Sequence, residues 1–208
     1  MSSLEPNKTV AGCIDIFNDT WVYPENTIKI VEMICQDPER KLVKWEKADF
    51  MGPKDAKFRR QCSMLNITKI KRMGAISNPM IHNIYDTFHT TIIDYTRAYM
   101  LRYAIGDPCY NNSPYQMIKY EVGDEYPKHY DGPTRLGRHI SAILYLNDDY
   151  EGGELHFPIF DITIKPIKGQ LILFPSNYAY QHLARPVTAG TKYAIVTWLH
   201  DRPDVRIE

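Results

Sequence analysis

A histidine and an aspartate two residues apart are the first candidates for chemistry in this chain. His129 and Asp131 stand in the segment KHYDG. On a β-strand, residues i and i+2 point to the same side, so this imidazole and this carboxylate would converge and could hold a metal ion. A surface turn that contains both residues remains the alternative interpretation of so short a pattern.

A third metal ligand would have to come from another part of the chain. His182 lies about 50 residues after His129, in the segment QHLARPV, and offers a second imidazole. Two histidines and one carboxylate occupy one side of an octahedral ion and leave positions open for substrate and dioxygen, as in non-haem Fe(II) oxygenases. Taken alone, His182 could equally be a core or surface histidine, so its interpretation depends on the surrounding sequence.

The elements that would position these residues are short strands in the second half of the chain. From residue 109 on, turn residues separate segments that have the pattern of strands. The strand candidates are 114–121, 127–132, 138–147, 153–158, 161–165, 170–174, 181–187 and 191–199. Eight short strands in succession predict a jelly roll or barrel.

The first half of the chain has a mostly helical pattern. One helix is predicted to begin at Pro24 and to end near Asp37-Pro38, and a long amphipathic helix is predicted from Asn78, as its N-cap, to Ile105. Apolar residues of the long helix recur at intervals of three and four, namely Ile81, Ile84, Tyr85, Phe88, Ile92, Tyr95 and Tyr99. Between the two helices, KLVKWEKADF and RRQCSMLNIT are predicted to be strands.

Composition and charge exclude several classes of protein. The chain has 208 residues, of which 44% are hydrophobic and 24% charged, which is typical of a globular domain rather than a disordered or fibrous chain. Twenty-five basic residues balance 25 acidic ones, so the overall charge does not favour nucleic acid. No apolar stretch is long enough for a membrane span and the N-terminal sequence is polar, so we expect a cytoplasmic protein with no membrane partner.

The four cysteines predict no disulfide framework or zinc ribbon. They lie far apart, without a Cys-x-x-Cys pair, at Cys13, Cys35, Cys62 and Cys109. Such spacing is typical of reduced thiols in a protein core.

Three ordered segments of the second half carry a resemblance to a known family. They are YEVGDEYPKHYDG, RHISAILYLNDDYEGGELHFP and HLARPVTAGTKYAIVTWL. From Tyr120 to Leu199, the chain resembles the 2-oxoglutarate- and Fe(II)-dependent dioxygenases of the prolyl 4-hydroxylase type. We therefore expect an α+β fold with a double-stranded β-helix (jelly-roll) core in the C-terminal half and supporting N-terminal helices and strands. Residues 1–208 would form a single catalytic domain, with the support in 1–108 and the iron-carrying core in 109–204.

The resemblance implies roles for four residues in binding iron and cosubstrate. It makes His129, Asp131 and His182 the iron ligands and Lys192 the partner of the distal carboxylate of 2-oxoglutarate. The sequence supports the role of Lys192, because this residue shares a predicted strand face with Ala194, Val196 and Trp198. A buried ammonium on such a face needs an anionic partner to offset its desolvation. An exposed lysine at a strand edge is the alternative.

Further residues of the matching segments receive less specific roles. Tyr120 and Tyr145 would be hydrogen-bond donors to 2-oxoglutarate, and Trp198 would be a wall of the pocket. The alternative for each tyrosine is a core ring whose hydroxyl bonds to the backbone. Arg138 could contact substrate or form a structural ion pair, and the sequence does not decide between them. The turn at Gly152-Gly153 is explained by the freedom of glycine to adopt positive φ, without a catalytic role.

The resemblance also implies a reaction. The chain would be an enzyme that uses Fe(II), 2-oxoglutarate and dioxygen, with ascorbate as a further candidate cofactor, and hydroxylates peptidyl proline at C4 with release of succinate and CO2. A hydroxylase of free amino acids or other small molecules and a non-catalytic jelly-roll binding module are the alternatives. A nucleic-acid demethylase is disfavoured because such enzymes usually present arginine where this chain has Lys192, and because a basic groove would be needed.

A proline-containing peptide or protein substrate would need a groove at the mouth of the barrel. Aromatic residues suit an extended polyproline segment, and the candidates in this sequence are Tyr110, Tyr115, Tyr126 and Tyr130. Half-buried barrel residues are the alternative interpretation of these rings. The turn-rich segments GDPCYNNSPY and 60–78 are candidates for a flap that closes over the peptide. The sequence does not predict the oligomeric state.

Overall fold

The structure is a computed structural model that describes residues 4–21, 24–37, 43–48, 61–72, 79–105, 111–132 and 137–200. Within these ranges the chain forms three α-helices, α1 (Pro24–Gln36), α2 (Ile67–Arg72) and α3 (Pro79–Arg102). Among the described residues, no helix combines the length and the apolar character that a membrane span requires.

The strands form three sheets, and all of the pairings between strands are antiparallel in the described part of the chain. In chain order the strands are β1 (Lys8–Val10), β2 (Ile14–Phe17), β3 (Glu46–Lys47), β4 (Ser63–Asn66), β5 (Asn111–Asn112), β6 (Gln116–Tyr120), β7 (Tyr126–His129), β8 (Arg138–Tyr145), β9 (Glu151–Gly152), β10 (Leu155–Phe157), β11 (Ile162–Ile164), β12 (Leu171–Pro175), β13 (His182–Ala184), β14 (Val187–Ala189) and β15 (Lys192–His200). The combination of antiparallel sheets and few helices agrees with the α+β class predicted from the sequence.

The main sheet has nine strands and joins the two halves of the chain. Its order is β1-β2-β12-β8-β15-β6-β4-β3, and β5 also pairs with β15. A second sheet has the order β11-β10-β13-β7, and β14 pairs with β9. Each of the eight segments predicted as strands overlaps at least one of these strands.

Both faces of the main sheet are buried. Successive side chains of β15 point alternately into two different cores. Tyr193, Ile195 and Leu199 belong to a core that also contains the apolar residues of α1 and α3. Ala194 and Val196 face the other way, into a core shared with residues of the second sheet. All nine residues of β15 are therefore buried, which explains why its sequence KYAIVTWLH is almost continuously apolar.

Helix α3 covers one face of the main sheet. It buries a stripe at helical spacing, namely Ile81, Ile84, Phe88, Ile92, Thr96 and Tyr99. The Phe88 ring stacks on Trp21 with their centroids 4.3 Å apart. The helix begins at Pro79, as predicted, whereas its predicted N-cap Asn78 lies outside the described residues. Burial of large side chains of this kind contributes roughly 1.5–3 kcal/mol each.

The N-terminal half contains more strand than the sequence predicted. The hairpin of β1 and β2 was not predicted, because the three-residue β1 is largely exposed and β2 carries a buried aspartate, Asp15, among its apolar residues. The segment KLVKWEKADF forms only the two-residue β3 within its described part, 43–48. RRQCSMLNIT was predicted as one strand, but its described part, 61–68, forms β4 and the start of α2, where Ile67 and Ile70 are buried at helical spacing.

Candidate active site

Two neighbouring strands of the second sheet bring the histidines together. His129 ends β7, His182 begins β13, and the two residues are directly paired across the strands. The Nε2 atom of His129 lies 3.5 Å from Oδ1 of Asp131, and Nε2 of His182 lies 3.6 Å from Oδ2. One ligand atom from each residue can be chosen so that all three lie within 4.8 Å of one another. The three side chains thus converge on one point, as the sequence predicted.

The reason for this convergence is not the one predicted. Strand β7 ends at His129, so Asp131 lies beyond it and the argument from strand alternation does not apply. Asp131 is instead held by its surroundings. The backbone N–H of Gly132 donates to the carbonyl of Ser176 at 2.8 Å, and the Ser141 hydroxyl donates to Oδ2 of Asp131 at 2.6 Å. The alternative of an isolated surface turn is wrong, because Asp131 is only 8% exposed.

Backbone hydrogen bonds orient both imidazoles. Nδ1 of His129 lies 2.8 Å from the carbonyl of Pro127, and Nδ1 of His182 lies 3.1 Å from the carbonyl of Tyr180. Since a carbonyl only accepts, each Nδ1 carries a hydrogen and each Nε2 keeps its lone pair for a ligand. The ring of Tyr126 stacks on His129 with a centroid distance of 3.6 Å and fixes its plane.

Electrostatics favours an ionised Asp131 carboxylate and a neutral His182 imidazole. Burial lowers the pKa of His182 to about 4, and the nearby Asp131 carboxylate only partly opposes this effect. Burial by itself would raise the pKa of Asp131, but the two histidines and the Ser141 hydroxyl outweigh it and hold that pKa below its usual range. Two histidines and one carboxylate are a donor set that suits a divalent transition metal such as Fe(II).

A cavity between the two main layers connects these residues with the other predicted site residues. It has about 500 Å³ of empty space, counting its open mouth. All seven site residues predicted from the sequence line it, namely Tyr120, His129, Asp131, Tyr145, His182, Lys192 and Trp198. The cavity is formed by β6, β8 and β15 of the main sheet and by β7, β10 and β13 of the second sheet.

Lys192 contributes a buried positive charge to this cavity. Its side chain is only 3% exposed, so the alternative of an exposed lysine at a strand edge is wrong. The ammonium donates to the carbonyl of Gly153 at 2.5 Å and lies 5.2 Å from the ring centroids of both Tyr120 and Tyr145. Aromatic faces attract a cation, and an ammonium at this place can also attract an anionic ligand.

The turn at Gly152 and Gly153 is part of the lysine's environment. Both residues have positive φ, +71° and +64°, as expected for glycines in a tight turn. A Cβ atom on Gly153 would lie 3.1 Å from Cδ of Lys192 and 3.1 Å from the Tyr150 ring. The sequence predicted the backbone conformation of this turn, but not that the carbonyl of Gly153 would bind Lys192.

Arg138 and Trp198 lie at the metal-binding end of the cavity. The guanidinium carbon of Arg138 is 3.9 Å from the ring centroid of Trp198, and Nη1 donates to the backbone carbonyl of Asp131 at 3.4 Å. These contacts are structural but are not the ion pair that the sequence left open for Arg138, and its contact with substrate stays a prediction. They link β8 and β15 to the loop that carries Asp131.

The predicted aromatic groove is only partly found. Tyr126 lines the cavity and Tyr130 is 45% exposed beside His129, whereas Tyr110 lies outside the described residues. The prediction that Tyr115 lies at the mouth of the barrel is wrong. It is fully buried in the core on the helix side of the main sheet, where its hydroxyl lies 2.9 Å from Nδ1 of His89.

The predicted flap is also wrong where the structure describes it. Residues 63–72 form β4 and α2, and Leu65, Ile67 and Ile70 belong to the core. Residue 60 and the parts of the two flap segments at 73–78 and 106–110 lie outside the described residues. The described parts of these segments form packed elements rather than a lid.

The comparisons with known proteins agree with the resemblance seen in the sequence. Residues 115–200 match the family model of the 2OG-Fe(II) oxygenase superfamily. A probable prolyl 4-hydroxylase 9 of Arabidopsis thaliana is 30% identical over 124 residues, which cover 46% of this chain and 43% of the relative. The chain thus spans less than half the length of that curated relative.

Two solved structures share the fold over most of the chain. One is a prolyl hydroxylase from Trichoplax adhaerens in complex with a peptide fragment of the hypoxia inducible factor oxygen degradation domain, with a TM-score of 0.66, 20% identity, and coverage of 92% of this chain and 84% of that one. The other is the viral collagen prolyl hydroxylase of Paramecium Bursaria Chlorella virus-1 in its 2OG complex, with a TM-score of 0.60, 20% identity, and coverage of 92% and 98%. The resemblance to 2-oxoglutarate- and Fe(II)-dependent oxygenases of the prolyl hydroxylase type is confirmed.

Proposed function

We propose that this chain is a 2-oxoglutarate- and Fe(II)-dependent dioxygenase that hydroxylates proline in a peptide or protein. The observation that carries the proposal is one cavity that contains both a His-Asp-His cluster, with Asp131 and His182 buried, and a buried lysine. The match of residues 115–200 to the oxygenase superfamily supports the same activity. The two structural neighbours carry prolyl hydroxylase in their names, which supports proline as the target.

His129, Asp131 and His182 would hold the iron. The burial of Asp131 and His182 and the hydrogen bonds on both Nδ1 atoms fit a preformed site that presents two imidazole nitrogens and a carboxylate. Three protein ligands leave the remaining coordination positions for 2-oxoglutarate and dioxygen. Bound together, these groups would supply the oxidation that releases succinate and CO2 and hydroxylates the substrate.

Lys192, Tyr120 and Tyr145 would bind the distal carboxylate of 2-oxoglutarate. Lys192 is the first of the β15 residues that line the cavity. Trp198, six residues later, pairs with Ser141, which lies beside Asp131. Between them lies Ala194, whose small side chain leaves room in the cavity. A dicarboxylate could therefore reach from the lysine towards the metal ligands, and the apolar walls would exclude water from the reaction.

The substrate would be an extended segment with proline, hydroxylated at C4. Two exposed tyrosines flank the metal ligands in sequence, Tyr130 next to His129 and Tyr178 four residues before His182, with exposed fractions of 45% and 72%. The bond between Gly132 and Ser176 brings their two loops together. Exposed aromatic rings are suited to the proline rings of a polyproline II segment, which loses little entropy on binding.

We also infer that the facing sheets form a double-stranded β-helix and that residues 1–208 act as one catalytic domain. Two packed antiparallel sheets with a ligand cavity between them support this architecture. Cytoplasmic location is a further proposal, supported by the free thiols of Cys13, Cys35 and Cys62, and fluorescent tagging of the full-length protein would test it.

Ascorbate is proposed as a reductant that sustains turnover. If so, the enzyme should lose activity faster when ascorbate is omitted from the assay.

Succinate formation tests the proposed function. The protein with Fe(II) and 2-oxoglutarate should form succinate faster when a proline-rich peptide is added, and the peptide should gain one oxygen atom on proline. Hydrolysis of the product peptide and comparison with 3- and 4-hydroxyproline standards would show which carbon of proline is hydroxylated. Turnover of free proline alone would favour the small-molecule alternative. No succinate with any substrate would favour a binding module and contradict the proposal.

A further inference from the structure

We propose that Ser141 is a positioning residue for the metal site, and that Ser176 orients its hydroxyl. Ser141 would hold one oxygen of the Asp131 carboxylate so that the other oxygen is presented to the metal. The inference rests on the proposed iron site and concerns what keeps that site in a reactive geometry.

A chain of three buried side chains carries the proposal. The Ser141 hydroxyl donates to Oδ2 of Asp131 at 2.6 Å, and the hydroxyls of Ser141 and Ser176 are 2.8 Å apart. Ser141 and Ser176 are each only 1% exposed, and Asp131 is 8% exposed. The hydrogen bond from Ser141 to the carboxylate is therefore well shielded from water.

The direction of both hydrogen bonds follows from the number of hydrogens available. An ionised carboxylate only accepts, so the single hydrogen of the Ser141 hydroxyl goes to Asp131. Ser141 can then only accept from Ser176, whose own hydrogen points towards Ser141. Ser176 thus fixes the rotation of the Ser141 hydroxyl, which could otherwise turn away from Asp131.

Both serines are carried by rigid parts of the main sheet. Ser141 lies in β8, paired with Phe174 of β12 on one side and with Trp198 of β15 on the other. Ser176 directly follows β12, and its backbone N–H donates to the carbonyl of His139 at 2.9 Å. A hydroxyl on a central strand among apolar neighbours costs free energy unless it is bonded, and the bond it forms here is to a proposed metal ligand.

The consequence concerns the number of protein atoms that can bind the metal. With Oδ2 held by Ser141, the carboxylate cannot rotate freely to offer both oxygens to the ion. One oxygen and two imidazole nitrogens make three ligands, which leaves the open positions that 2-oxoglutarate and dioxygen require. Hydrogen-bonding partners of metal ligands typically change metal affinity or activity by 10–100-fold when they are removed.

Equilibrium binding of Mn(II), followed by electron paramagnetic resonance, tests this role without turnover. Ser141→Ala should weaken Mn(II) binding by about 10–100-fold. Ser176→Ala should weaken it less, because Ser141 can still donate to Asp131. Ser141→Thr keeps a hydroxyl and should restore most of the affinity. Thr197→Val is the matched control, because its buried hydroxyl donates to the carbonyl of Ser113 at 2.7 Å in the same sheet but contacts no metal ligand.

The results separate this inference from the proposed function. Parent-like affinity in Ser141→Ala, an equal loss in Ser141→Thr, or an equal loss in Thr197→Val would each overturn the role of Ser141. If the parent binds Mn(II), the serine variants behave as expected and no substrate yields succinate, the role of Ser141 is supported while the proposed function fails. A parent that binds no Mn(II) would overturn both.

Discussion

At the scale of single residues, the cavity holds two opposite charges in places where water is largely excluded. Asp131 is bonded by Ser141 and lies between two imidazoles, and Lys192 lies among aromatic rings with its ammonium on a backbone carbonyl. Such buried charges are costly unless they are compensated, so their presence in one cavity indicates a ligand that completes the compensation. A metal ion and a dicarboxylate would do so.

The metal ligands provide the first prediction. Replacing His129, Asp131 or His182 singly with Ala should weaken Mn(II) binding at least about 100-fold and abolish succinate formation, because each supplies one of three ligand atoms. Circular dichroism should show a folded protein, since of the three side chains only His182 contacts the apolar core closely, through Phe157 and Phe174. Tight metal binding by the triple Ala variant would show that the site lies elsewhere.

Lys192 provides the second prediction. Lys192→Ala should raise the KM for 2-oxoglutarate by about 10–100-fold, because a charge-assisted hydrogen bond contributes roughly 1.5–3 kcal/mol. The KM for the peptide should change much less, and Lys192→Arg should rescue only in part because the guanidinium differs in length and shape. Lys119→Ala is the matched control, since this lysine of β6 bonds to Glu32 at 3.1 Å on the helix side of the sheet. An unchanged KM for 2-oxoglutarate in Lys192→Ala would assign the anchor to another residue.

Substitution of Gly153 provides a test that separates the loss of stability caused by backbone strain from a loss of 2-oxoglutarate binding. Gly153→Ala should lower the free energy of unfolding by roughly 1–2 kcal/mol because of its positive φ, and should also weaken 2-oxoglutarate binding because the new Cβ presses on Lys192. Gly123→Ala has a similar φ of +89° but no atom within 4 Å of the new Cβ. Urea unfolding should therefore show a loss in both variants, and only Gly153→Ala should need more 2-oxoglutarate. Equal cosubstrate affinities would disprove the contact.

The seven site residues could be predicted from the sequence because they lie in segments that resemble a known family, and the structure places all seven around one cavity, while their roles stay predictions. Ser176 could not, because its role depends on a hydroxyl that meets Ser141 only after β8 and β12 have paired. Tyr115 was misplaced for a related reason. A tyrosine near the start of a strand suits either side of a sheet, and only the packing of α3 shows that its ring points to the helices.

At the scale of elements, long periodic segments were the most predictable and short ones the least. Helix α3 and strand β15 agree closely with their predicted bounds, because many residues contribute to each pattern. Strand β1 is three residues long and carries too little pattern to be detected, and β3 forms only two residues of the longer strand predicted for its segment. Their existence depends on the neighbouring strands β2 and β4, with which they pair.

Thr96 of α3 tests how much a buried hydroxyl without a hydrogen-bond partner lowers stability. Its side chain is 1% exposed, and its hydroxyl has no hydrogen-bond partner among the described residues. Thr96→Val should therefore raise the free energy of unfolding by about 1 kcal/mol, as measured with urea. Thr197→Val should lower it by about 1 kcal/mol, because that hydroxyl is bonded to Ser113. A loss of stability in Thr96→Val would mean that its hydroxyl is bonded after all.

At the scale of the whole molecule, the main sheet lies between the helices that pack on it and the cavity that contains the site residues. One face carries the helices, and the other faces the second sheet across the cavity. Because β2 pairs with β12, and Phe17 and Trp21 belong to the core on the helix side, the first part of the chain stabilises the strands that carry the site. The metal ligands are thus attached to a scaffold with two packed faces, which favours fixed positions for them.

Turnover under oxygen-18 gas tests the central claim most directly. With Fe(II), 2-oxoglutarate and a proline-rich peptide, the protein should place one labelled oxygen atom in succinate and one in hydroxyproline, as measured by mass spectrometry. This result follows because a dioxygenase divides the two atoms of dioxygen between cosubstrate and substrate. Unlabelled succinate together with an unmodified peptide, or a hydroxyl group that takes its oxygen only from water, would contradict the account.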